Sequence, residues 1–391
     1  MNISLKYFLL FFMTIMWIYF FAVIANYIIK KVSQNTTTES RKIFHEMKSS
    51  GRDKGFKLKD YEPILLNKMF LKEENINKIT HIGGQPNQKV FYCDEGYGLI
   101  KYKSDRFGFR NEDKKWDLLN NENKTKIMFV GDSFIHGACV HEKDVISTKL
   151  QSFDKEKLIT FNLGMAGNNS LMNAYTIKTF LKKIKPRYLI IGIHPNDREE
   201  FSTDKYFSHQ INNNLLEKYF DHNSTNLNLS KELVNSIKIR NFKLNDNKKL
   251  YFSSKKNFLN KILPYLKLNN LREIVIFYKE KYFFKLPNDT KLLINLVNNE
   301  CNISSCTPLF IFIPASKYWN NDQNQFIFRD RLQEYLKDNN NLFLDLSKTI
   351  KFDDKNYYAI KGGHLSPSSY NIISDKIYKI ISDEIYNKSI N

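Results

Sequence analysis

The sequence predicts an α/β fold, a three-layer α/β/α sandwich built on a mainly parallel sheet. Three observations predict it. From Lys126 onward, short apolar runs alternate with stretches of helical spacing, the pattern of strands joined by crossover helices. Runs such as Ile127 to Val130 are apolar without alternation, as strands covered on both faces must be. The first of these runs leads straight into Gly131-Asp132-Ser133, which presents a hydroxyl at the strand exit, where open parallel sheets place their ligands.

The elements follow in order. Tyr7 to Ile29 is apolar apart from Thr14, Asn26 and the tyrosines. At about 1.5 Å per helical residue it reaches about 35 Å, enough to cross the hydrocarbon core of a bilayer. Residues 1–32 are therefore expected to form a transmembrane anchor or signal-anchor, closed by Lys30 and Lys31, with the lipid bilayer as partner of residues 7–29. A cleaved signal ending at Val23-Ile24-Ala25 is the other reading. Counting Lys6 against Lys30, Lys31, Arg41, Lys42 and Lys48 places the body in the cytoplasm, whereas the short leading segment suits an exported domain. The expectation is a single-pass protein with its main domain outside the cytoplasm.

Residues 33–123 read as a polar, lysine-rich linker and a small strand-containing preface, in which Val90 to Arg110 alternates around Gly96, Gly98 and Gly108. The main domain is expected over 124–391. Its predicted strands are Lys126–Val130, Leu158–Leu163, Tyr188–Ile193, Leu309–Ile313 and Leu342–Leu346. The predicted helices are Asp144–Phe153, Leu171–Lys183, Phe326–Asp338 and Pro367 to about Tyr386, the last capped by Ser366 with Pro367 at its first position. An insertion over 202–288 is too long for a simple crossover, and its helix-like runs Asn257–Lys267 and Asn270–Lys285 are expected to pack as a helical unit.

Composition narrows the function classes. The net charge of +19 is spread along a chain rich in lysine and similarly rich in asparagine, without a basic stripe interleaved with stacking aromatics, so a nucleic-acid partner is not expected. Cys93, Cys139, Cys301 and Cys306 allow three pairings if oxidised, with Cys301 and Cys306 close enough for a local bridge; four unrelated thiols fit equally well. No Cys-x-x-Cys pair is followed by histidines at ligand spacing, and His136 and His141 do not share a helix face, so no metal site is expected.

Four segments carry chemical groups to consecutive strand exits or to the start of the last helix. They are Gly131-Asp-Ser133, Asn162-Leu-Gly-Met-Ala-Gly167, Gly192-Ile-His-Pro-Asn-Asp197 and His364-Leu-Ser-Pro367. In this order they resemble the SGNH (GDSL-like) hydrolase family over about Lys126 to the C-terminus, the insertion excluded. The anchor and Asp105-Arg-Phe-Gly-Phe-Arg110 resemble a membrane-attached branch of that family.

The resemblance implies a serine esterase that removes or transfers an O-acyl group, acetyl above all, on an envelope or extracellular glycan. It implies Ser133 as nucleophile, His364 as base, and an oxyanion hole made by Ser133 N–H, Gly167 N–H and the Asn196 amide. A serine hydroxyl needs such a base, and a tetrahedral oxyanion needs donors already aimed at it. No cofactor is required. The family's aspartate, two or three residues before the histidine, is absent: Lys361 and Gly362 stand there. Asp353 or Asp354 folding back, a Ser133–His364 dyad, or a catalytically silent glycan-binding protein are the alternatives. Asp132 and Asp197 are read as turn buttresses, and His136, His141 and His194 as wall or surface residues.

Overall fold

The computed structural model describes residues 7, 11–28, 62–63, 81–198, 216, 218–221, 227–235, 237, 283–317 and 324–387. Most of the linker and of the expected insertion, including Asn257–Lys267 and nearly all of Asn270–Lys285, lies outside them. In chain order the described elements begin with helix α1 (Phe11–Ile28), 18 residues long and apolar enough to cross a membrane, criteria that a signal sequence also meets. A small sheet follows, of β1 (Glu62–Pro63), β2 (Lys89–Phe91) and β3 (Lys101–Lys103). The pair β2–β3 is antiparallel, with Val90 opposite Tyr102.

The larger part is an alternating run. It comprises β4 (Thr125–Val130), α2 (Ser133–His136), α3 (Ile146–Phe153), β5 (Leu158–Asn162), α4 (Ser170–Ile184) and β6 (Tyr188–Ile193). It continues through α5 (Asn288–Ser304), β7 (Thr307–Phe312), α6 (Gln325–Asp338), β8 (Leu342–Asp345) and α7 (Pro367–Asn387). The five strands form one parallel sheet in the order β5-β4-β6-β7-β8. The expected α/β sandwich is thus present, with strand and helix ends within two residues of the sequence reading. Helix α5 was not anticipated. Its buried Thr290, Leu293, Ile294, Val297 and Cys301 nevertheless recur at helical spacing.

Side chains alternate across the sheet because successive Cβ atoms point to opposite faces. Along β4, Met128 and Val130 join the core shared with α4, α5 and α6. Ile127 and Phe129 join the opposite core with α3 and α7. Both faces are covered, which explains the apolar runs Ile127–Val130 in β4, Leu189–Ile191 in β6 and Leu309–Phe312 in β7. Chain order matters as much as burial: from β4 the chain steps outward to β5 and then returns to β6 on the other side. The exits of β5, β4 and β6 flank this reversal, where a parallel sheet opens a crevice.

The segment Asp105–Arg110 ties the small sheet to this region. Asp105 is fully buried, and its Oδ1 accepts the N–H groups of Phe107 and Phe109, each at 2.9 Å. Its Oδ2 accepts Asn111 Nδ2 and Trp116 Nε1, also at 2.9 Å. Burial pushes this carboxyl from 3.8 up to about 6, against the pull of those donors. Between those values the folded chain holds a proton that the unfolded chain releases, so the contribution of this group to stability declines as pH rises through the window. Arg110, also buried, donates to the carbonyls of Gly137 and Val140 and pairs with Glu142 at 2.7 Å, fixing the loop after α2.

Replacing Asp105 by alanine strands four buried donors, and a loss of about 3 kcal/mol or more is expected, read from denaturant midpoints at unchanged slope.

Candidate active site

Ser133 sits at the first position of α2, where its own N–H has no acceptor within the helix. Asp132 caps that helix, its Oδ1 accepting Phe134 N–H at 3.0 Å, the buttressing role its place in the sequence suggests. Helix α7 holds the far side of the turn, because Tyr370 donates its hydroxyl to the Phe134 carbonyl at 2.9 Å.

Below, Ile135 fills a socket of three glycines, one at each strand exit. A Cβ on Gly131 would lie 2.4 Å from Ile135 Cγ1, one on Gly192 2.5 Å from the same atom, and one on Gly164 2.7 Å from Ile135 Cγ2. These contacts are shorter than carbon atoms tolerate, so a side chain at any of the three would push α2 off its seat.

His364 lies in the loop before α7, and Ser366 Oγ accepts Ser369 N–H at 3.3 Å as the expected cap. The His364 ring is close to the serine: Nε2 stands 3.0 Å from Ser133 Oγ. Its other nitrogen meets a residue that sequence reasoning missed. Glu95, on the loop between β2 and β3 and wholly buried, places Oε1 2.8 Å from His364 Nδ1. Glu95 Oε2 also accepts His364 N–H at 3.2 Å, and the Glu95 carbonyl accepts Lys361 N–H at 2.9 Å.

With this geometry the ring takes the tautomer that donates from Nδ1 to the carboxylate and accepts the serine proton at Nε2. Burial opposes the imidazolium, but the Glu95 charge, its hydrogen bond and the charge of Asp132 outweigh it. Together they hold the His364 pKa above the ordinary histidine value.

The expectation that Asp353 or Asp354 supplies the acid is therefore corrected. Asp354 accepts Asn356 N–H at 2.9 Å and caps a short turn, while Asp353 acts by charge on the Tyr358 hydroxyl. The reason Glu95 fits lies at Gly362, one of the two positions where the resembled family carries its aspartate. A Cβ on Gly362 would fall 1.8 Å from Glu95 Cδ. The glycine leaves open the space that a carboxylate from elsewhere in the chain now fills. Gly362→Ala is expected to displace Glu95 and lower the His364 pKa, measured by NMR titration of the imidazole, with the fold retained.

The remaining predicted site residues border the same turn. Asn196, on the short helical turn after β6, lies with Nδ2 3.4 Å from Asp132 Oδ2. Asp197 Oδ2 accepts His194 N–H at 3.0 Å and holds that turn, as expected of a buttress. Gly167 takes a φ of +81°, the left-handed region that favours glycine. Just before it, Ala166 N–H points to His136 Nδ1 at 3.3 Å, which joins the Gly167 loop to the end of α2.

His136 is buried beneath Tyr92 and 3.0 Å from the Tyr102 hydroxyl. Burial, with the positive charge of Arg110 and His364 nearby, holds its pKa well below the ordinary value. It is therefore a neutral, structural histidine. His194 stacks on Phe134 at 4.3 Å between ring centres, and His141 Nε2 lies 3.1 Å from the Tyr97 carbonyl oxygen.

Glu95, Cys139 and His364 also place one candidate ligand atom each within 4.8 Å of the others. The set does not suit a metal. The Cys139 sulfur is bonded to Cys93 and has no thiolate to offer, and the two remaining groups already share a hydrogen bond. A second disulfide joins Cys301 to Cys306, so all four cysteines are paired.

No protein-family model matches the chain, and no curated protein matches it. Among solved structures it is similar to a member of the lipolytic protein G-D-S-L family from Veillonella parvula, at 10% identity and a TM-score of 0.36 over 66% of this chain and 98% of that one. It is also similar to a psychrotrophic esterase from a Pseudoalteromonas species, at 9% identity and 0.36, covering 67% and 100%. A family 3 carbohydrate esterase from Clostridium thermocellum gives 14% and 0.34, covering 66% and 94%. Values this low do not bear on function, which has to be read from the side-chain geometry.

Proposed function

We propose that the chain is a membrane-anchored serine esterase that removes or transfers an O-acyl group on an envelope or extracellular glycan. The observation that carries it is the continuous line of hydrogen bonds from Glu95 through His364 to Ser133, 2.8 Å and 3.0 Å long. In the proposed reaction Ser133 Oγ attacks the ester carbonyl carbon as its proton passes to His364 Nε2. The imidazolium so formed is stabilised by Glu95. Ser133 N–H, Gly167 N–H and the Asn196 amide hold the oxyanion.

Collapse of the tetrahedral intermediate returns the proton from His364 to the leaving alcohol and leaves an acyl-serine. Water, or an acceptor sugar hydroxyl, then gives its proton to His364 as it attacks the acyl carbon; collapse of this second intermediate returns that proton from His364 to Ser133 Oγ and releases the carboxylic acid or the new sugar ester. The Glu95 carboxylate holds the His364 pKa above the ordinary histidine value and so favours the ring's taking the serine proton.

The missing acid before His364 was the ground for a silent binding protein, and Glu95 removes that ground. The glycan follows from the resemblance of the anchor and the Asp105–Arg110 segment to a membrane-attached branch of SGNH hydrolases. Two disulfides support a location outside the cytoplasm, because such bonds persist in oxidising compartments. They outweigh the lysine count around α1, which lysine abundance inflates along the whole chain.

The deciding experiment is labelling with a fluorophosphonate probe. Wild type is expected to react at Ser133 and Ser133→Ala to stay unmodified; folded wild type that resists the probe would refute the esterase reading.

A further inference from the structure

Glu95 does not belong to the parallel sheet that carries Ser133. It stands on the β2–β3 loop, 269 residues from His364 in sequence. Non-covalent contacts hold the base of this loop: Tyr92 N–H to the Ile100 carbonyl and Ile100 N–H to the Cys93 carbonyl, each at 2.9 Å. At its tip Asp94 Oδ1 accepts Gly96 N–H at 2.8 Å and Gly98 N–H at 3.1 Å, both glycines having positive φ. These bonds shape the loop, and two non-covalent contacts lean it on its neighbours: His141 Nε2 lies 3.1 Å from the Tyr97 carbonyl oxygen, and Lys361 N–H donates to the Glu95 carbonyl at 2.9 Å.

The covalent tie is Cys93–Cys139, whose Cα atoms are 5.1 Å apart. Cys93 precedes Glu95 by two residues, and Cys139 follows Ser133 by six. One bond thus joins the turn that carries the nucleophile to the loop that carries the acid. Cys139 is buried, and its Sγ lies 3.9 Å from His364 Nδ1, the nitrogen that Glu95 engages. The sulfur therefore packs beside that hydrogen bond.

We infer that the Cys93–Cys139 disulfide is a positioning element for the reaction, holding Glu95 on His364 Nδ1 and so setting the basicity of His364. The inference rests on the esterase reading for its meaning in catalysis, but its effect on the ring is measurable without turnover. Cys301–Cys306 spans five residues at the end of α5 and serves as the internal control.

The test compares wild type, Glu95→Gln, Cys93→Ser/Cys139→Ser, Cys93→Ala/Cys139→Ala and Cys301→Ser/Cys306→Ser. The His364 pKa is followed by NMR titration, and the acid limb of kcat/KM by hydrolysis of an aryl acetate. Both Cys93/Cys139 variants are expected to lower the His364 pKa toward that of Glu95→Gln. The acid limb should move with it, and kcat should fall at least tenfold. In the Glu95→Gln background, loss of the disulfide is expected to change the His364 pKa no further, and the Cys301/Cys306 variant should match wild type.

A His364 pKa and pH profile that stay at wild-type values in both Cys93/Cys139 variants, while Glu95→Gln shifts them, would overturn the inference. Loss of the fold in both variants, seen by circular dichroism, would also overturn it, by making the bond a scaffold. Wild type that resists the fluorophosphonate probe refutes the esterase reading alone, and the NMR titration still judges the disulfide.

Discussion

Ser133→Ala is expected to lower ester hydrolysis by about 10⁶-fold in kcat, the cost of removing the nucleophile from a serine–histidine unit. His364→Ala should cost nearly as much, because the hydroxyl is a poor nucleophile without a base 3.0 Å away. The double variant should lose no more than either single one, since both side chains serve one proton transfer. A residual acceleration of about 10³ over water is expected to survive in all three, supplied by the oxyanion donors and by binding. Steady-state kinetics with an aryl acetate checks the series. Independent, multiplicative losses would show that the two residues do not act together.

Glu95→Gln is the second large effect, and it has a pH signature. The amide keeps the size of the side chain but presents either a donor or a weaker acceptor to Nδ1. The ring then loses the tautomer that leaves Nε2 free to accept, and kcat is expected to fall by about 10³- to 10⁴-fold. The sign of the pH shift follows from the base having to be neutral. Activity disappears as pH falls through the His364 pKa, and the charge and hydrogen bond of Glu95 hold that pKa up against burial. Without the carboxylate the acid limb of kcat/KM should therefore move to lower pH, although the maximum rate is smaller. An unmoved limb with full activity would mean that the acid is dispensable and that Ser133 and His364 operate as a dyad.

The parallel sheet was readable because β4, β6 and β7 are buried on both faces and carry consecutive apolar residues. The oxyanion candidates Ser133, Gly167 and Asn196 came from the resemblance; what the residues themselves mark are the strand exits, where Gly131, Gly164 and Gly192 stand. Glu95 carried no comparable mark. One glutamate in a glycine-containing loop of a chain with abundant charge has the local pattern of a solvated turn, and its partner lies 269 residues away.

Two local facts bore on it, and neither is an acid. Gly362 stands at one of the two positions where an aspartate was expected, and Cys93 lies two residues before the carboxylate. A gap at one place and a tether at another have meaning only after the chain has brought them together. Helix α5 was a different kind of omission, since its helical spacing was present but adjoined an insertion whose far boundary hid it.

The seating of Ile135 against three strand exits has a mechanical consequence. A hydroxyl, a peptide N–H and an amide on separate loops would ordinarily fluctuate independently, and their errors would add at the reacting carbon. Because Ile135 packs against Gly131, Gly164 and Gly192 together, the loops that bear the proposed groups share one packing contact, which limits how far any one can move without the others. Less reorganisation is then needed as charge develops. Under the proposed function, new ester preferences have to be found in segments that do not touch this wedge, because enlarging any of its three glycines would disturb the proposed nucleophile and anion pocket at once.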